Sequence, residues 1–143
     1  MSILGINPTE TTEPALNMTC PFCSLPRERL VFESELAFVV RDGFPVSPGH
    51  TLVIPKRHVA SFFGTTADEQ AAMLKLLRLA WIEVGQQFKP AGCNVGINDG
   101  QAAGQTIAHL HMHLIPRYEG DRDDPRGGVR WVLPEKAAYW TGD

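Results

Sequence analysis

The chain has 143 residues, 43% of them apolar and 20% charged, with a formal net charge of −3. That is enough for one domain with its own buried core, and the charge balance gives no sequence-wide case for nucleic-acid or membrane-surface binding. With no basic leader and no apolar run near the ~20 residues a membrane span needs, the sequence reads as a cytoplasmic protein.

Residues 1–17, rich in Thr, Glu, Pro and Asn without periodicity, are expected to form a mobile arm or one that orders against a partner subunit. Cys20-Pro21-Phe22-Cys23 follows as a C-x₂-C pair. Two thiolates at this spacing suit a tetrahedral metal site with two distant histidines, a redox pair, or two unrelated reduced thiols. No thioredoxin-like strand-helix context surrounds the pair, and a reducing compartment disfavours a structural disulfide. Arg29 to Glu33 reads as an edge strand, and Ala37–Arg41 and Thr51–Ile54 as strands joined through Asp42-Gly43-Phe44-Pro45 and Ser47-Pro48-Gly49.

Thr66-Ala67-Asp68-Glu69 is a capping box opening a helix that runs to about Phe88. Met73, Leu76, Leu77, Ala80, Trp81 and Val84 recur at helical spacing and give it one apolar stripe. Cys93 to Asn98 reads as the next strand, with Cys93 a buried apolar residue rather than a participant in chemistry. After a Gly-rich loop comes His109-Leu110-His111-Met112-His113-Leu114-Ile115. On a strand the three histidines share one face, about 7 Å apart, and Leu110, Met112 and Leu114 share the other. Only five histidines exist in the chain, and three lie here. Beyond Gly120 the sequence turns to loop chemistry, then to Val129–Pro134, expected as a short strand or extended segment, and a turn of helix within Lys136–Trp140. The order of elements predicts an α+β domain: an antiparallel meander sheet with one long helix and a short one. The expected divisions are the arm (1–17), a catalytic domain (18–120) and a C-terminal extension (121–143).

Three imidazoles on one face can surround a small anion. A neutral imidazole is also a nucleophile near neutral pH without a base to deprotonate it, so the face suits attack on phosphorus. The plain alternative is three solvated histidines on an exposed strand. Three histidines so spaced can also ligate a catalytic metal, although the Cys pair offers a metal softer donors. No Walker-type loop is present.

The run Gly104-Gln105-Thr106-Ile107-Ala108-His109-Leu110-His111-Met112-His113-Leu114-Ile115-Pro116-Arg117 resembles the histidine triad family of nucleotidyl hydrolases and transferases, and the likeness extends from about Cys20 to Tyr118. It is similar to bacterial single-domain members and to the dinucleoside polyphosphate hydrolase branch. The resemblance implies that His111 attacks the α-phosphate of a purine nucleotide and carries the nucleotidyl group, with His113 beside the phosphate. It places Gln105 and Thr106 at the phosphate and leaving group, Asp42 at the ribose hydroxyls, and Asn98 near the sugar and phosphate. His50 would orient His111 or line the site, and Phe22, Phe38 and Ile54 could wall a base pocket. Members that keep the Cys pair resemble zinc proteins, which implies a closed structural zinc on Cys20, Cys23, His58 and His109, with no metal required for catalysis. A homodimer is implied as well. Two other functions stay open from the residues: a nucleotide-binding regulatory or scaffold protein with incidental catalysis, and a transferase passing the nucleotidyl group to an acceptor other than water.

Overall fold

The structure, a computed structural model, describes residues 19–142, so the expected arm lies outside the described residues. One five-stranded antiparallel sheet runs β1 (Leu30–Glu33), β2 (Ala37–Arg41), β3 (Thr51–Pro55), β5 (Met112–Arg117) and β4 (Gly92–Ile97) in spatial order. A single long helix, α1 (Ala67–Phe88), crosses one face, and a short one, α2 (Pro134–Ala137), sits in the C-terminal segment. This is the α+β meander expected from the order of elements.

The capping box forms as predicted. The Glu69 N–H donates to Thr66 Oγ1 at 3.1 Å, and Glu69 Oε1 accepts the Thr66 N–H at 2.9 Å. Glu69 is only 4% exposed, and the burial is offset by Arg57, whose Nη2 and Nε reach its two oxygens at 2.7 and 3.1 Å. That guanidinium holds the Glu69 carboxyl below its usual range. The helix stripe behaves as a core face: Met73, Leu76, Ala80 and Val84 are buried, and Leu77 packs beside them. Trp81 departs from the stripe and stays exposed.

Leu110, Met112 and Leu114 join Ala37, Val39 and Val53 under the helix, each contributing roughly 1.5–3 kcal/mol by burial. The opposite face is buried too. Phe38, Val40, Leu52 and Ile54 are covered by Phe22, Leu25 and Leu30, so the segment that carries the Cys pair acts as the second layer.

Three expectations change. His109, Leu110 and His111 precede β5 rather than lying in it; the chain at 107–111 is irregular, and only His113 of the three histidines is in the strand. Cys93 is exposed, not buried. The reason is that α1 packs over β1, β2, β3 and β5, which leaves the helix-side face of the edge strand β4 open, Val95 included. Gly128–Val132 forms a 3₁₀ helix instead of a strand, and the helical turn falls at Pro134–Ala137, where proline sits at the first position.

Candidate active site

All five histidines fall into two adjoining groups on the sheet face away from α1 and at the start of β5. In the rings of His50, His109, His111 and His113, a partner settles which nitrogen carries the proton.

His111 is 8% exposed, and its Nδ1 lies 2.8 Å from the His109 carbonyl oxygen. A carbonyl only accepts, so Nδ1 carries the hydrogen and Nε2 keeps a lone pair. His50, 3% exposed, accepts the Val46 N–H on Nδ1 at 3.1 Å. Its proton is therefore on Nε2, which stands 2.9 Å from His113 Nδ1 and 3.4 Å from Asp42 Oδ2. His113 thus accepts on Nδ1 and presents an Nε2–H donor. The rings of His111 and His113 lie 5.1 Å apart between centroids, closer than regular strand spacing allows, because His111 sits in the irregular approach to β5. His50 hydrogen-bonds His113 and not His111.

Burial pushes the His50 and His113 imidazoles toward their neutral forms. For His113 desolvation leads, with His111 and His50 adding to it and Asp42 opposing, and the result is about 4 against an ordinary 6.5. The sign of the linkage follows: between pH 6.5 and 4 the unfolded chain holds a proton there that the folded one does not. Stability present above pH 6.5 is lost as pH falls toward 4. Denaturant midpoints measured across that window should decline less steeply in His113→Asn than in the parent chain. Parallel declines would show that His113 does not contribute.

Around these rings lies a cavity of about 410 Å³. Its walls include Phe22, Leu25 and Leu52 at one end and Asp42, His111 and His113 at the other, with Thr106 and Asn98 at the rim. Phe38 and Ile54, expected as base-pocket walls, are core residues behind it. Asp42 Oδ1 accepts the Phe44 N–H at 2.8 Å, so one oxygen shapes the turn while the other faces the histidines. Gln105 does not point into the cavity. Its Oε1 accepts the Gly100 N–H and its Nε2 donates to the Ala60 and Ile107 carbonyls, all within 3.0 Å, which braces the loop that presents Thr106.

Beside the His111 backbone is the second group. Ligand atoms of Cys20, Cys23, His58 and His109 all lie within 4.8 Å of one another. His109 is fully buried, and its Nε2 donates to the Pro55 carbonyl at 2.7 Å, which leaves the Nδ1 lone pair facing both sulfurs at 3.5 Å. His58 Nδ1 approaches the Cys23 sulfur at 3.2 Å. Two soft sulfurs and two imidazole nitrogens, one oriented by a carbonyl behind it, fit a tetrahedral zinc ion.

Fold and site together define a small α+β domain whose histidine cluster is built on the β3–β5 seam of an open antiparallel sheet. A family model described as the HIT domain matches residues 26–120, and the chain belongs to that family. It is 39% identical over 107 residues to an uncharacterized 16.1 kDa HIT-like protein of Mycoplasma pneumoniae, covering 72% of this chain and 74% of that one. It is 33% identical to the AP-4-A phosphorylase of Mycobacterium tuberculosis, covering 80% of this chain and 60% of the relative. It is 32% identical to the bis(5'-adenosyl)-triphosphatase of Saccharomyces cerevisiae, covering 83% of this chain and 55% of that one. Among solved structures, a Zn-bound histidine triad family protein from Mycobacterium smegmatis superposes with a TM-score of 0.67 at 34% identity, covering 73% of this chain and 79% of the other. Among the described residues no helix is long and apolar enough to cross a membrane.

The four residues of the Cys/His cluster come together, and so do five of the six expected nucleotide contacts, Asp42, Asn98, Thr106, His111 and His113. Gln105 is turned into its loop. What the sequence concealed is the Val46 N–H, a backbone donor that sets the His50 tautomer and carries no side-chain signature.

Proposed function

We propose that the chain is a nucleotide hydrolase that cleaves at a substituted α-phosphate of a purine nucleotide through a covalent nucleotidyl–His111 intermediate. The observation that carries this reading is the His111 tautomer: Nδ1–H is held by the His109 carbonyl, so Nε2 offers its lone pair into a cavity shared with His113 and Asp42. His111 Nε2 bonds to phosphorus as the bond to the leaving group breaks, and water then cleaves the phosphorus–histidine bond to release the nucleoside monophosphate. The His113 Nε2–H, oriented by His50, donates to a non-bridging oxygen where charge builds up. Thr106 and Asn98 supply polar contacts at the rim, Asp42 receives ribose hydroxyls, and Gln105 acts through the loop it braces. Dinucleoside polyphosphates and nucleoside phosphoramidates are the substrate classes, the first supported by the yeast and mycobacterial relatives. The phosphorylase relative supports a second reading, transfer of the same nucleotidyl group to an acceptor other than water.

Cys20, Cys23, His58 and His109 would hold a structural zinc ion, whose contribution when bound is cross-linking rather than catalysis. Thiols so placed suit a reducing compartment such as the cytoplasm. A homodimer would give the open edge of β4 and its exposed Val95 a partner. Single-turnover mass spectrometry with diadenosine tetraphosphate and, separately, adenosine 5′-phosphoramidate tests the activity. An adenylyl mass on the His111 peptide followed by AMP release is expected; no adduct and no AMP from either compound would overturn the reading.

A further inference from the structure

His50 and His113 form a chain of hydrogen bonds that can run in two directions. With the Val46 N–H on His50 Nδ1, at 3.1 Å, His50 donates from Nε2 and His113 presents an Nε2–H. Without that N–H, His50 can carry its hydrogen on Nδ1 and accept on Nε2 from a His113 Nδ1–H. His113 Nε2 would then face the substrate with a lone pair instead of a donor. The position of one backbone N–H therefore selects what His113 offers.

That N–H belongs to the loop at 42–50, between β2 and β3, and the sheet does not hold its outer half. The β3–β5 ladder ends at the Thr51–Leu114 pair, while β5 runs on to Arg117. Two side chains take over where the ladder stops. Ser47 Oγ donates to the Pro116 carbonyl at 2.7 Å, and the Tyr118 hydroxyl donates to the Pro48 carbonyl at 2.6 Å. The bonds are reciprocal: one runs from loop to strand, the other from the residue after the strand back to the loop. Proline at 116 brings no N–H that would need a partner there. On its other side the loop meets Phe88, at the end of α1. A Cβ on Gly49 would stand 2.8 Å from the Phe88 ring, and the φ of +83° suits glycine. Neither Ser47 nor Tyr118 lines the cavity that holds His111.

We propose that Ser47 and Tyr118 are positioning residues: their two hydrogen bonds hold the loop against β5 so that the Val46 N–H meets His50 Nδ1, and through His50 they keep the hydrogen of His113 on Nε2. This rests on the reading of His113 as the donor to a phosphate oxygen. Neither residue touches substrate, so the contribution lies in the fraction of molecules whose relay points the right way.

Long-range proton–nitrogen correlation spectra above neutral pH, where burial keeps both imidazoles neutral, read the two tautomers. Single-turnover adduct formation on His111 reads the consequence. The double variant Ser47→Ala/Tyr118→Phe is expected to show both tautomers of His50 and His113. Its adduct should form about 5-fold more slowly, in proportion to the competent fraction, with AMP affinity nearly unchanged. Each single variant should move both readouts the same way by less, which keeps the test open if the double variant does not fold. Ser47→Thr, which keeps the hydroxyl, should restore the parent's spectrum and rate. Parent-like tautomers in the variants would overturn the assignment whether or not the rate falls, and so would mixed tautomers with the parent's rate. If the parent chain itself forms no adduct on His111, the nucleophile reading fails, and the role of Ser47 and Tyr118 in the reaction fails with it whatever the spectra show.

Discussion

His111→Asn is expected to lower turnover on the order of 10⁶-fold, the scale seen when a covalent nucleophile is removed and only binding and electrostatic stabilisation remain. Asparagine suits the test because its Nδ2–H can still donate to the His109 carbonyl in place of the imidazole Nδ1–H. The ring contact with Phe22, 5.1 Å between centroids, is lost, but the Leu110 and Met112 side chains on either side stay in the core. Fold and AMP affinity should therefore change little. His113→Asn removes a donor instead of the nucleophile, so a loss of about 10²–10³-fold is expected there, with an adduct still forming slowly. His50→Ala removes the donor that sets the His113 tautomer, and should fall between His113→Asn and the parent chain. Single-turnover rates, adduct mass and calorimetric AMP binding separate these cases. Turnover of His111→Asn within tenfold of the parent would exclude the covalent route.

What could be read from the chain was whatever obeys a period or a fixed spacing. The capping box at Thr66 and Glu69, the stripe from Met73 to Val84 apart from Trp81, and the core placement of Leu110, Met112 and Leu114 all respond to local geometry, and all form. The Cys/His cluster joins residues up to 89 positions apart, and only the family likeness brought them together beforehand. Other features depend on long-range packing. Cys93 is exposed because α1 does not extend over β4, and strand periodicity carries no information about where a helix on the far side stops. His109 and His111 lie outside the sheet, since β3 pairs with β5 only from Met112 onward, and both are buried along with Leu110 and Met112 instead of alternating with them. Gln105 carries the right residue type for a phosphate contact, but three backbone groups take up its amide. Trp131 and Val132 line a cavity that exists only once the C-terminal segment folds back against β4, an arrangement without a local signature in the sequence.

Stripping the metal, or replacing Cys20 with alanine, should destabilise the fold by on the order of 3 kcal/mol, roughly 10 °C in Tm for a domain of this size. Cys20 and Cys23 begin the segment whose Phe22 and Leu25 cover Phe38, Val40, Leu52 and Ile54. Without the cross-link, that layer is held by side-chain burial alone. The effect should also reach catalysis. His109 supplies the carbonyl that fixes the His111 tautomer, and its own ring is anchored on one side by Pro55 and on the other by the two sulfurs. Loosening His109 therefore lets the His111 ring turn, and kcat should drop several-fold with KM less affected, far short of the loss in His111→Asn. Elemental analysis should find about one zinc per chain in the parent and little in Cys20→Ala, while Cys93→Ala, exposed and remote from the cluster, retains it. A parent chain purified without chelators that carries no zinc, and whose Tm neither falls with a chelator nor rises with added zinc, would show that the four residues do not form a metal site.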